Sequence, residues 1–345
     1  MHPSDHLMET CPLKHHIRRE LWLRYIKLVV GDGKLTKYLT LYSPPMMDIK
    51  LFAKQKLVEH DGEKYKGVVA VTYDDEAYDK AISTIPCRPE VLLVGDINTL
   101  ITRASSDKQL QEKFPFQVIN LDYTNSLFSE HNSAPLSDPL RALDELARRQ
   151  KATGQERYAL FITTRAEEGQ FAPHFLEDLK NRVDDNIKKN ARFADVVHSI
   201  YKANKGSELL KSRYKEFVPI GLVKMVSNVL ASYRFQVSHS DAVLLVRDSK
   251  RPTRWLLHLA FIAQAVPLER AHTLRDYGRP AAEQLEQTIA CFVEAISTKG
   301  LLELKETTDT KTLNHKYVAE VKELAGQTFE IVPPEPYKSE RDENA

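Results

Sequence analysis

Glycine is scarce in this chain, 12 in 345 residues, about half the ~7% of ordinary soluble proteins. Loops that cradle phosphate groups need glycine for close backbone approach, so the shortage counts against several nucleotide-hydrolysing classes. Cysteine is rarer still. Cys11, Cys87 and Cys291 are far apart and odd in number, which disfavours a disulfide framework and excludes a Cys-only zinc site within one chain. No run of about 18 apolar residues is present, so no bilayer-spanning helix is expected. The opening stretch MHPSDHLMETCPLKHH lacks the apolar core of a secretory signal, and a cytoplasmic protein is expected. Charge is balanced, with 49 Lys+Arg against 48 Asp+Glu. An anionic partner would therefore have to be met by a local patch rather than by the global field.

Several motifs are also missing. There is no Gly-x-x-x-x-Gly-Lys-Ser/Thr, His-Glu-x-x-His, Cys-x-x-Cys or Gly-x-Ser-x-Gly, which argues against P-loop hydrolysis, zinc hydrolysis, dithiol redox chemistry and a serine nucleophile elbow. His15-His16 resembles a metal pair by type, but adjacent residues face different sides of a helix. His239 and Asp241 likewise lack a nucleophile to complete a triad.

What is present is a regular alternation. Residues 14–30 carry Ile17, Leu21, Tyr25 and Leu28 at helical spacing and stop at Gly31-Asp32-Gly33. Apolar strands are then expected at 38–42, 67–72, 91–94, 116–121 and 158–163. Helices are expected between them at 46–58, 76–82 and from Ser137-Asp138-Pro139 onward, with another around 175–187 after the fifth strand. Such alternation implies βαβ units and a parallel sheet covered on both faces. Residues 191–232 read as helical, and 233–246 with 255–263 as an antiparallel hairpin turning at Ser249–Pro252. The organisation expected is an N-terminal helical segment 1–37, a Rossmann-like α/β domain 38–263 with a helical insertion at 191–232, a helical extension 264–332, and a polar disordered tail 333–345.

In open α/β sheets, ligands bind beyond the carboxyl ends of the strands. Those ends carry Tyr42-Ser43, Asp74-Asp75, Asp96-Ile97-Asn98, Asp122-Tyr123 and Thr163-Thr164-Arg165, polar groups suited to a nucleoside-like ligand. Each aspartate equally suits a turn or a helix cap.

With these elements in order, the chain resembles the class I S-adenosylmethionine-dependent methyltransferases over roughly residues 14–263. The resemblance implies a mostly parallel Rossmann-like sheet completed by the hairpin, with S-adenosylmethionine as methyl donor. It places Asp74 or Asp75 against the ribose hydroxyls and Asp96-Ile97 against the adenine. Tyr42 and Ser43 fall at the methionine moiety, and Asp122 and Tyr123 beside an acceptor nitrogen, as in nucleic-acid-modifying members. A looser likeness is to the three-Cys-motif partner proteins, through the basic helix with Lys14-His15 and Tyr25. The departures lie at the first strand end, Leu41-Tyr-Ser-Pro-Pro-Met-Met-Asp48, which has no glycine. Pro44 and Pro45 remove backbone donors there, and Met46 and Met47 are expected to add bulk where the donor would lie. Ser43 to Asp74 spans 31 residues against the ~20 of a tight nucleotide-binding unit, and Asp122-Tyr123 lacks following prolines.

Two basic segments stand out. Lys14–Lys37 has seven Lys/Arg against two Asp/Glu, and Lys180–Lys215 has ten against four, with Phe193, Tyr201 and Tyr214 interleaved. They suit nucleic-acid contact or, equally, solvated helix faces. The functional expectation is a methyltransferase acting on nucleic acid. The alternative is a catalytically silent relative that keeps the sheet as a scaffold for a protein or nucleic-acid partner. A third possibility is that the altered first loop accepts a different nucleotide.

Overall fold

The computed structural model describes residues 11–42, 46–73, 87–103, 108–123, 138–246, 255–266 and 302–305, with isolated residues such as Asp75, Leu127 and Phe292 and several between 317 and 324. Ser43, Asp74, most of the expected helix 76–82, the expected last helix apart from Phe292, and the tail 333–345 lie outside the described residues.

Pro12–His16, Ile17–Trp22 and Leu23–Val30 run on as one helix, α1, whose middle segment is wound as a π-helix. Gly31 ends it with φ +59, its N–H donating to the Lys27 carbonyl at 2.8 Å. The strands follow as β1 (Tyr38–Leu41), β2 (Lys64–Thr72), β3 (Arg88–Val94), β4 (Val118–Asp122), β5 (Arg157–Arg165), β6 (Phe235–Val246), β7 (Trp255–Ala265) and β8 (Leu302–Lys305). The helices between them are α2 (Met47–Lys54), α3 (Ile97–Thr102), α4 (Lys108–Gln111), α5 (Asp138–Ala152), α6 (Pro173–Lys189), α7 (Ala191–Tyr201), α8 (Gly206–Ser212) and α9 (Tyr214–Ser232).

All eight strands form one sheet in the order β3-β2-β1-β4-β5-β7-β6-β8. β1 to β5 are parallel, while β7 is antiparallel to both β5 and β6. This is the Rossmann-like, methyltransferase-type sheet expected, with the hairpin completing one side. Strand order reverses between β1 and β4, which makes that junction the topological switch point.

The stretch 264–332, read as helices alone, also contributes β8, which pairs parallel with β6 at the sheet edge. Four residues, two of them charged, carry too little alternation to announce a strand. β2 and β3 both begin three residues earlier than their apolar runs, because Lys64–Lys66 and Arg88–Glu90 extend them with charged residues on either side of a buried Tyr65 or Pro89.

Alternation sends each strand's residues into two cores. Leu39, Val69, Val71, Ile119, Leu121 and Leu160 face α3 and α5 to α9. Tyr38, Val68, Ala70, Val118, Ala159 and Phe161 face α1, α2 and the segment around Val321 and Leu324. α1 is part of this second core rather than an appendage, since Trp22 stacks on Phe161 with ring centroids 5.0 Å apart. The helices over 191–232 share the first core with α5 and form part of the layer linking β5 to β6. Among the described residues, no helix is long and apolar enough to cross a membrane.

Candidate functional site at the carboxyl edge of the sheet

The polar residues at the carboxyl ends of β1 to β4 surround the switch point. Below them, on the α1/α2 face, lies a buried polar ladder. Tyr38 Oη donates to Asp48 Oδ2 at 2.5 Å, Thr40 Oγ1 donates to the same oxygen at 3.0 Å, and Asn120 Nδ2 donates to Thr40 Oγ1 at 3.1 Å. Burial and the Asp48 charge push the Tyr38 phenol well above its usual range. The ladder ties β1, β4 and α2 together one pleat beneath the site. Asn120 Oδ1, at the end of the ladder, is buried and finds no hydrogen-bond partner among the described residues.

Tyr42 follows β1 and donates its N–H to the Val71 carbonyl at 2.7 Å. It is buried, and its hydroxyl finds no hydrogen-bond partner among the described residues; burial raises its pKa. Next in the described chain comes Met46, in the left-handed conformation at φ +45. Met46 thus holds a left-handed conformation of the kind that favours glycine. Met46 and Met47 are 1% and 0% exposed and pack into the α1/α2 core. The expectation that they project into the donor site is corrected: their bulk is absorbed by the hydrophobic layer.

At the end of β3, Gly95 takes φ +140 and Asp96 caps α3, its Oδ1 accepting the Thr99 N–H at 2.8 Å. Ile97, expected against the adenine, is 4% exposed and belongs to the first core. Asp75 is exposed. Tyr73, beside it, is 74% exposed, and Val94 at the neighbouring strand end is 37% exposed. Sequence reasoning passed over this aromatic because it read the strand end for carboxylates alone.

Asp122 and Tyr123 do not face one point. Successive strand residues face opposite ways, and here they serve different layers. Tyr123 packs against the first core, and its hydroxyl donates to Asn98 Oδ1 at 2.8 Å; burial, reinforced by the Asp96 charge, raises its pKa. Asp122 faces α1 instead, where Lys14 Nζ lies 2.5 Å from its Oδ2. Lys14 was read only as part of a basic helix. No local pattern links it to a carboxylate 108 positions away. The π-helical segment follows Lys14 and ends on the stacked Trp22, and such segments often mark functional positions.

Several cations of the basic segment 14–37 are paired within the chain. Besides Lys14, Arg19 pairs with Glu320 at 3.1 Å and Arg24 with Asp241 at 2.5 Å. In the segment 180–215, Lys180, Arg182 and Lys189 pair with acidic residues one helical turn away.

A family model described as PP_RS20740-like matches residues 90–274, more than half of the chain. The chain belongs to the PP_RS20740-like family. The part matched in this PP_RS20740-like protein runs from within β3 to beyond β7, and so includes Asp96, Asn98, Asp122 and Tyr123 but not α1 or β1. No curated protein matches it. Among solved structures, it is similar to M. jannaschii TYW2 in complex with AdoMet, at 6% identity and TM-score 0.32, covering 72% of this chain and 80% of that one. It is also similar to a SAM-dependent methyltransferase of Methanosarcina mazei, at 12% identity and TM-score 0.32, covering 70% and 97%. A third is CrArsM, an arsenic(III) S-adenosylmethionine methyltransferase of Chlamydomonas reinhardtii, at 14% identity and TM-score 0.34, covering 69% and 66%.

Proposed function

We propose that the chain binds S-adenosylmethionine at the carboxyl edge of the sheet and transfers its methyl group to a nitrogen of a nucleic acid in the cytoplasm. The supporting observation is the gathering of Tyr42, Asp96, the Tyr123–Asn98 pair and Asp122 around the switch point of a methyltransferase-type sheet. Asp74 or Asp75 takes the ribose hydroxyls, and Asp96 keeps one carboxylate oxygen for the adenine while the other caps α3. Tyr73 offers its exposed ring to the base. Asp122 already holds one cationic nitrogen, Lys14 Nζ, and on this reading orients the acceptor nitrogen. The sulfonium supplies the reactive methyl group when bound, so these residues contribute binding, alignment and exclusion of water. For the acceptor, Lys188, Lys202, Lys205 and Lys211 are exposed and make no ion pair among the described residues. They are the cations that would meet phosphates.

Calorimetric titration with S-adenosylmethionine tests the donor site. Micromolar binding that weakens about tenfold in Asp74→Ala or Asp75→Ala, the scale of one charged hydrogen bond, supports it. No binding at millimolar donor rejects it. Binding of single-stranded RNA that falls steeply with salt and weakens in Lys188→Ala/Lys211→Ala tests the acceptor.

A second reading has one observation in its favour. Lys14 neutralises Asp122 within the fold, as a scaffold that no longer performs transfer would allow. Methyl transfer to any acceptor would end that reading.

A further inference from the structure

The sheet carries a second concavity at its opposite edge. A cleft of about 380 Å3 opens beside the amino ends of β1, β2 and β3. Its origin is a bulge. Between the pairs Tyr65↔Pro89 and Val69↔Val91, β2 inserts Lys66, Gly67 and Val68 against Glu90 alone, which disrupts the ladder and bends the strand. Gly67 adopts φ +72, and a Cβ there would stand 2.1 Å from the Thr36 carbonyl oxygen. Only glycine lets the lead-in to β1 close against the bulge. Leu35 and Val69, 4% and 3% exposed, supply the apolar part of the lining.

The polar wall is cationic, with Lys34, Lys37, Lys66 and Lys113 against Glu59 and Glu90. Lys34 holds Glu59 at 2.5 Å. Glu90 is held by Lys113 at 3.3 Å and by the Gly67 N–H at 2.7 Å. These partners keep both carboxyls below the usual range, the Lys34 hydrogen bond dominating at Glu59 and the Gly67 N–H at Glu90. Lys37 donates to the neutral Phe114 carbonyl at 3.1 Å. Lys66 donates its backbone N–H to the Glu59 carbonyl at 2.8 Å, while its ammonium makes no ion pair among the described residues and acts at longer range on Glu59 and Asp61. Four lysines against two glutamates leave the lining with an excess of positive charge in a concave site, where charges of one sign reinforce one another.

We propose that this cleft binds the phosphate monoester of a nucleotide-sized ligand. Lys37 and Lys66 grip the phosphate dianion, and Leu35, Val69 and the lysine stems cover the rest. The volume falls within the ~300–1,000 Å3 range of small-molecule sites. The charge match favours a monoester dianion over the singly charged diester of a polymer backbone. The site lies away from the carboxyl edge and does not depend on the methyltransferase reading.

The test is calorimetry on the full chain at low ionic strength, with UMP against uridine, so that no adenine can enter the donor site. UMP is expected to bind at least tenfold more tightly than uridine. Lys37→Ala/Lys66→Ala should lose at least tenfold of that affinity while keeping its thermal transition, and saturating S-adenosylmethionine should leave UMP binding intact. A 5′-phosphorylated UpU that binds better than UMP would assign the phosphate to a nucleic-acid end; one that binds worse would assign it to a free nucleotide. Equal binding of UMP and uridine, unchanged affinity in the double variant, or displacement of UMP by S-adenosylmethionine would overturn the proposal.

Discussion

Lys14 Nζ lies 2.5 Å from Asp122 Oδ2, and both side chains are withdrawn from water, 4% and 14% exposed. The pair joins the first turns of α1 to the carboxyl end of β4, at the centre of the candidate site. Removing one partner of such a buried pair typically costs about 3–5 kcal/mol. Lys14→Met should therefore destabilise the protein by about 3 kcal/mol in urea titration. The double variant Lys14→Met/Asp122→Leu should recover most of that loss. A double variant as unstable as the sum of the singles would show that the two side chains are not coupled.

Asp96 has a structural duty and a proposed functional one, and two variants separate them. Asparagine caps a helix as well as aspartate does, whereas alanine loses about 1 kcal/mol. Asp96→Asn should keep its urea midpoint yet bind S-adenosylmethionine about tenfold more weakly, as expected for one lost charged hydrogen bond. Asp96→Ala should show both defects. Full donor affinity in Asp96→Asn would leave the residue with its capping role alone.

Tyr73 is the reverse case, a large side chain that the fold hardly uses. At 74% exposed, its truncation to alanine should change stability by less than about 0.5 kcal/mol. Stacking of a base on an aromatic ring contributes roughly 1–3 kcal/mol. Tyr73→Ala should accordingly weaken donor binding about tenfold or more, measured by the same calorimetry.

His15 gives the α1 anchor a pH dependence. Its Nε2 lies 3.0 Å from Glu320 Oε2, and its pKa is lowered, chiefly by burial, below the ordinary 6.5. Above pH 6.5, folded and unfolded chains both carry the neutral ring, so the histidine adds no slope. As pH falls below 6.5, the unfolded chain takes up the proton first and gains stability over the folded one. Urea midpoints should decline between pH 7 and pH 5, and His15→Gln should decline less. Identical slopes would remove His15 as a contributor.

Gln150 tests the fold apart from the site. Its fully buried amide bridges Phe116, with Oε1 accepting from the N–H at 2.8 Å and Nε2 donating to the carbonyl at 2.6 Å. Gln150→Leu strands both backbone groups and should cost about 3 kcal/mol in the denaturant midpoint, with donor binding unchanged under native conditions.

The sheet was legible because its central strands are covered on both faces. Val68–Val71 and Tyr158–Ile162 read as unbroken apolar runs, and buried parallel strands look like that. The polar strand starts at Lys64–Lys66 and the two charges in Leu302–Lys305 carried no such signal. At the site, the positions at strand ends were legible while their directions were not. Asp122 and Tyr123 are neighbours in the chain yet serve opposite layers, and Lys14 reaches Asp122 only through the packing of α1. The side chains of Met46 and Met47 were misplaced for a local reason. Met46 takes the left-handed turn itself, and its side chain goes into the core.

His15 and Glu320 are separated by 305 positions, and that distance has a meaning for synthesis. At ~5–20 residues per second, a ribosome needs roughly 15–60 s to deliver Glu320 after His15 has been made. During that interval Lys14, His15 and Arg18, all at most 3% exposed in the finished molecule, have no completed face to enter. The first of the described helices to be translated is therefore among the last to be fully housed.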